Sequence, residues 1–160
     1  MTDSTFDRRS LVTALCAPLA LEVAAEASNA EADRIYAVLR AYAEAWKRKD
    51  LTALQGFYHD EFTLHYPGRH RLAGVHKGKA ESLRVLREVS VRTNRKLIEV
   101  LDVMAGPRRG CLNVIEQWSR GAETYSIERV FLYTVRGSKL DQCWLFDADT
   151  EVVARCLADT

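Results

Sequence analysis

The chain has 160 residues, 48% of them apolar and 28% charged, with a formal net charge of +1. That length predicts one domain able to bury its own core, and a charge so near zero leaves no electrostatic basis for a nucleic-acid partner. Cys16, Cys111, Cys143 and Cys156 are scattered with no C-x-x-C, which argues against zinc or a dithiol redox pair, and no run is apolar enough to suggest a membrane partner.

Residues 1–30 form an N-terminal extension with two readings. Asp7-Arg8-Arg9-Ser10-Leu11, the apolar run to Leu21 and the step Ala25-Glu26-Ala27 resemble a twin-arginine export signal. Glu22 and Glu26 fall where such signals carry no charge, which favours an alanine-rich helix that stays attached and lies across the domain. The second reading implies a cytoplasmic protein, the first an exported one.

Residues 31–160 are expected to form the domain. Ile35, Leu39, Tyr42 and Trp46 recur at helical spacing, so residues 31–49 predict an amphipathic helix with Tyr42 facing inward. Asp50 suits the N-cap of a second, short helix through Leu54, Phe57 and Tyr58. The stretch from Phe57 to Gly78 then joins the helical first third to a strand-rich remainder and holds all four histidines. In it Phe62, Leu64 and Tyr66 alternate with Thr63 and His65, a strand with the first three buried and His65 facing out, stopped by Pro67-Gly68. The histidines are spaced six, five and six apart, unlike a helical i, i+4 metal pair, so no metal site and no cofactor is expected.

A third helix is predicted from Lys79 to about Val91, burying Leu83, Leu86 and Val89. From Lys96 the period becomes two. Strands are predicted at 96–104, 111–119, 124–135 and 139–146, separated by Gly106-Pro107, Gly121 and Gly137-Ser138, with a last helix from Thr150 to Leu157. Three helices followed by a run of strands define an α+β domain in which helices cover one face of a curved antiparallel sheet.

Strand parity selects a site. Leu112, Val114 and Trp118 share a face with Glu116; Tyr125, Ile127, Phe131 and Tyr133 share one with Arg129. A two-residue turn at Gly121-Ala122 pairs Glu116 with Ile127 and Val114 with Arg129, which sets Glu116 and Arg129 diagonally within reach of each other. A Gly137-Ser138 turn of type II′ then pairs Tyr133 with Gln142, Phe131 with Trp144 and Arg129 with Phe146. The predicted inner face holds Glu116, Arg129, Gln142, Tyr66 and Tyr42 among Trp46, Trp118, Phe131, Trp144 and Phe146. An apolar cavity with a few convergent polar groups is the usual form of a small-molecule site. On the opposite parity lie Ile115, Val130, Leu132, Cys143 and Leu145, an apolar outer face that predicts a homodimer.

The order of elements, with AYAEAWKRKD, DEFTLHYPG, LAGVHKGKAE and the hairpin from Phe131 to Leu140, resembles the NTF2-like superfamily and within it the SnoaL-like proteins, over about residues 32–150. The resemblance implies a cone whose bent sheet and helices enclose an apolar pocket, frequent dimers, and relatives that include ketosteroid isomerases, polyketide cyclases, dehydratases and epoxide hydrolases. It places Tyr42 where the isomerases carry an oxyanion-binding tyrosine. Their base, an aspartate before a proline, is Tyr66 here. Their second acid falls near Arg129, and the last-strand aspartate of the hydrolases and cyclases falls near Trp144.

Together these readings predict a cofactor-independent enzyme of isomerase, cyclase or lyase type acting on a small apolar carbonyl or cyclic molecule. In it Glu116 moves a proton, Arg129 holds it ionised or stabilises an oxyanion, and Tyr42 and Tyr66 donate hydrogen bonds. Trp46, Trp118, Phe131, Gln142, Trp144 and Phe146 would hold the ligand. The alternative is a non-catalytic ligand-binding or dimeric scaffold domain in which Glu116 and Arg129 only brace the sheet.

Overall fold

A computed structural model of the chain describes residues 9–158, with side chains from residue 22 onward. The export-signal motif and the side chain of Cys16 lie outside the described side chains. Among the described residues no helix is long and apolar enough to cross a membrane.

Helix α1 runs unbroken through Arg9–Lys47 and so crosses the expected boundary at residue 30. Residues 22–34 carry no buried side chain, and burial begins at Ile35, with Leu39, Tyr42 and Ala43 following. Residues 22–30 of the extension are therefore helical but not laid into the core. Helix α2 (Leu51–Phe57) starts where Asp50 Oδ1 accepts from the Ala53 amide at 2.9 Å, the expected cap. It ends one residue earlier than predicted, because Tyr58 is the first residue of strand β1 (Tyr58–Tyr66), with its ring buried beside Phe62. A short strand β2 (Gly74–Lys77), unforeseen from sequence, pairs antiparallel with β1.

Helix α3 (Lys79–Thr93) buries Ser82, Val85, Val89 and Thr93. Of the expected core residues Val89 is buried, whereas Leu83 and Leu86 are only half-buried. The face is centred on Ser82 because its hydroxyl lies 2.8 Å from the His76 carbonyl and 3.2 Å from that of Phe62. A buried hydroxyl so satisfied is tolerated in a core, and here it fastens the helix to β1 and β2. Strands β3 (Lys96–Ala105), β4 (Gly110–Arg120), β5 (Glu123–Arg136) and β6 (Lys139–Asp147) and helix α4 (Thr150–Leu157), capped by Asp149, complete the domain.

The six strands form one open sheet in the order β2-β1-β6-β5-β4-β3. It is mixed, since β1 runs parallel to β6 while every other pair is antiparallel. Helix α1 lies over β3 and β4, and α3 over β1. Helix and sheet come close at Gly110, where a Cβ would fall 2.5 Å from Leu39 Cδ1 and 2.8 Å from the Met104 carbonyl.

The β4–β5 register is the expected one, with Glu116 opposite Ile127 and Val114 opposite Arg129. The β5–β6 register is not. Gly137 has φ +60° and the two-residue turn keeps Arg136 opposite Lys139 and Val135 opposite Leu140. Past that point Thr134 faces Gln142, so Asp141 is an extra residue in β6. Such a bulge shifts every later residue by one place and so exchanges the two faces. Cys143, Leu145 and Asp147 therefore stand opposite Tyr133, Phe131 and Arg129, while Gln142, Trp144 and Phe146 go to the outer face.

Candidate active site

The inner face of the sheet carries a chain of buried charges. Arg129 is wholly buried and each of its three guanidinium nitrogens donates: Nη1 to Glu116 Oε2 at 2.9 Å, Nε to Asp147 Oδ1 at 2.5 Å and Nη2 to the Tyr66 hydroxyl at 2.9 Å. Its cationic centre also lies 4.7 Å from the Trp118 ring centroid and 5.2 Å from that of Phe131, contacts that favour a desolvated cation. Glu116 is equally buried. Its Oε2 accepts from Arg129 and, at 2.8 Å, from Trp118 Nε1, whereas Oε1 makes no hydrogen bond and faces Arg95 Nη1 at 3.5 Å. Arg95, Glu116, Arg129 and Asp147 thus alternate in sign and sum to zero, the arrangement in which buried charge costs least.

Burial on its own would raise the pKa of Glu116. The charges of Arg129 and Arg95, with the hydrogen bonds from Trp118 and Arg129, outweigh it and hold the carboxyl below its ordinary value. Glu116 is a carboxylate at neutral pH. Burial pushes Tyr66 up despite Arg129 beside it, so its hydroxyl stays protonated. His70 packs 4.4 Å from the Tyr66 ring with neither ring nitrogen hydrogen-bonded, and burial pushes it down towards the neutral form.

Of the four predicted catalytic residues, Glu116, Arg129 and Tyr66 meet and Tyr42 stands apart. The Tyr42 hydroxyl lies 2.5 Å from that of Tyr58, with Tyr133 as a further partner. Burial pushes all three hydroxyls up and lifts the neighbouring Cys143 thiol to about 12. This second cluster can donate hydrogen bonds; it holds no base and no thiolate.

Two adjoining cavities of about 180 and 390 Å³ open between the end of α1, α2, α3 and the start of β3. Both are lined by Trp46, Leu51, Leu54, Ser90 and Arg95; the smaller adds Tyr42 and Tyr58, the larger Lys96, Leu97 and Glu116. Among the predicted ligand-binding residues only Trp46 lines this space. Trp118 and Phe131 are packed into the core, with Phe131 edge-on to Trp46 at 5.3 Å. Gln142, Trp144 and Phe146 lie on the opposite side of the sheet, where Trp144 stacks on His65 at 4.5 Å and Gln142 Oε1 lies 3.0 Å from His65 Nε2. Arg129 and Tyr66 do not line it either, so the cavity lies at the edge of the predicted inner face rather than over it.

Asp147 and Arg95 escaped the sequence reading. The bulge at Asp141 hid Asp147, since strict alternation from the turn points it outward. Arg95 sits in the αβ connection, where parity says nothing. A signal was present in Asn94, which takes the left-handed cap at φ +44° that often ends helices, and so fixes the direction in which Arg95 leaves.

Residues 39–142 match the SnoaL-like domain family, to which the chain belongs. Solved structures with the same fold include Bal32a from a soil-derived mobile gene cassette, at TM-score 0.71 and 18% identity over 79% of this chain and 98% of that one. An NTF2-like protein of Burkholderia xenovorans LB400 aligns at TM-score 0.65 and 23% identity over 79% and 97%. A polyketide-cyclase-like protein of Xanthomonas campestris pv. campestris aligns at 0.64 and 14% over 80% and 99%. At these identities the likeness carries the fold. Comparison with curated protein sequences gave no match.

Proposed function

We propose that the cavity beside Glu116 performs general acid/base chemistry on a small, largely apolar carbonyl or cyclic molecule, with Glu116 as the proton-transferring group. The observation that carries this reading is the asymmetry of one carboxylate. Oε2 is held by Arg129 and Trp118, while Oε1 makes no hydrogen bond in a residue that lines the larger cavity. A base needs a fixed orientation and a free lone pair, and a carboxylate that only braced the sheet would have no need of a cavity wall.

Arg129 keeps Glu116 ionised and positioned. It is a positioning residue, since it is fully buried, lines neither cavity, and each of its three nitrogens donates within the protein. The Tyr42 and Tyr58 hydroxyls, on the smaller cavity, supply a second polar point for a ligand that reaches across. The test uses 2-tetralone in deuterated buffer, with α-proton exchange followed by NMR. The full chain is expected to speed exchange over buffer and Glu116→Gln to lose that gain while keeping its fold. Equal rates for protein and buffer, or for the two proteins, would refute the reading and favour a ligand-binding or scaffold domain.

A further inference from the structure

The cavities between α1, α2 and α3 have walls of one character and an open side of another. Trp46, Leu51, Leu54, Leu83, Leu86 and Leu97 give them an apolar lining, with Leu51 left 70% exposed. The charged residues of the same lining are Lys47, Lys49, Arg87, Arg95, Lys96 and Glu116, five cations and one carboxylate. Arg95 faces Glu116 at 3.5 Å and Lys47 meets Glu44 at 3.0 Å. Lys49, Arg87 and Lys96 are exposed, and among the described residues none of the three has an ion-pair partner. In a chain whose formal charge is only +1, this is a local concentration of positive charge at the mouth of an apolar space.

Lys49 stands there against its backbone preference. It has φ +57°, its amide donates to the Trp46 carbonyl at 2.9 Å, and the Asp50 amide donates to the Ala45 carbonyl at 3.0 Å. That pair of bonds is the left-handed cap that glycine, less often asparagine, supplies at a helix end, because a Cβ is strained in this conformation. A lysine in place of the glycine, unpaired and lining a cavity, is the kind of local strain that marks a functional position.

We propose that Lys49, Arg87 and Lys96 form a cationic collar that selects an apolar molecule with an anionic head, the head held at the collar and the body laid along Trp46, Leu54, Leu83 and Leu86. The assignment rests on the reading of this space as a ligand site and adds the charge of the ligand and its direction of entry. Glu116 fixes the direction. Its buried carboxylate lies in the wall of the larger cavity and repels an anion, so the head stays at the mouth and the body goes in first. Side chains as exposed as these read charge and not head shape, so carboxylate and sulfonate heads share the chemistry, and salt screens the attraction.

The probes are 2-naphthoate and 2-naphthalenesulfonate against the neutral methyl 2-naphthoate, each titrated calorimetrically into the full chain at neutral pH and low salt. Both anions are expected to bind at least about tenfold more tightly than the ester, and to lose most of that gain at about 1 M salt. Lys49→Gly separates ligand from fold: relief of the left-handed backbone is expected to raise the melting temperature by about 2 to 4 °C, while loss of the charge weakens the anions about threefold and leaves the ester unchanged. Adding Arg87→Gln and Lys96→Gln is expected to bring the anions and the ester level. Ester binding equal to or tighter than that of the anions in the native chain overturns the collar, as does a failure of all three probes to bind, and neither result needs a variant to fold. A folded triple variant that keeps the preference overturns it too. Proton exchange of 2-tetralone is read separately. Exchange without any preference for the anions sinks the collar and leaves Glu116 as the base, whereas a preference that depends on the collar, found without exchange, supports the collar and removes only the proton-transfer step.

Discussion

Arg129 is one cation shared by two carboxylates and a phenol, so its removal strands more than it takes away. Arg129→Met would leave Glu116 and Asp147 buried with only Arg95 nearby. Breaking one side of a buried pair costs about 3 to 5 kcal/mol, and urea unfolding of the variant at neutral pH is expected to show a loss of that size. Glu116 adds a pH dependence whose sign follows from its depressed pKa. Its ordinary value is 4.5 and its folded value lies below that, so its stabilising contribution is complete above 4.5 and disappears as pH falls through the folded value. Unfolding free energy measured from neutral pH down past 4.5 should therefore decline less steeply in Glu116→Gln than in the native chain. Identical slopes would show that Glu116 is not held ionised by its neighbours.

Among the elements, β4 and β5 were legible in the sequence and β6 was legible only as a strand. A two-residue turn with Gly121 at φ +58° fixes the β4–β5 register along its whole length, so the pairing of Glu116 with Arg129 could be read from parity alone. At Gly137-Ser138 the turn is the predicted one but the face is not, because the extra residue comes after the turn and nothing in Asp141 marks a bulge. Its carboxylate meets Arg136 Nη2 at 2.7 Å, which is a consequence of the bulge and no advance warning of it. In helix α3 the apolar stripe through Leu83, Leu86 and Val89 predicts the core face, whereas the buried face keeps Val89 and turns towards Ser82, whose hydroxyl finds backbone carbonyls. Helix α1 is seated by contact with Gly110, and this gives an element-scale prediction. Gly110→Ala would force Leu39, Ile35 or the Met104 carbonyl aside, and overpacking of this kind costs about 1 to 3 kcal/mol. A thermal melt that does not move would mean that α1 is free to lift from the sheet.

At the scale of the molecule the outer face of the sheet is what remains uncovered. The bulge removes Cys143 and Leu145 from the surface predicted for it and replaces them with Trp144 and Phe146, beside Ile115, Val130 and Leu132. Phe146 is 48% exposed and Arg109 lies 4.9 Å over the Trp144 ring. Apolar and aromatic side chains gathered on one face are the usual mark of association, and the expected outcome is a dimer by light scattering at micromolar concentration, with Leu132→Glu shifting it to monomer. A native chain that scatters as a monomer would overturn this expectation.

The extra residue at Asp141 also bears on how such a chain can change length over generations. Loss of one residue between the Gly137-Ser138 turn and Gln142 would leave the strand its length almost unaltered and turn its two faces over. Asp147 would lose Arg129, the buried charges would no longer cancel, and an indole would be pressed into the space of a thiol. Gain or loss of residues in the loop before β2, which pairs only with β1 through four residues, disturbs no such alternation. Descendants of this sequence are free to vary there and are held to a fixed count in β6, a constraint set by pleat geometry that no residue identity records.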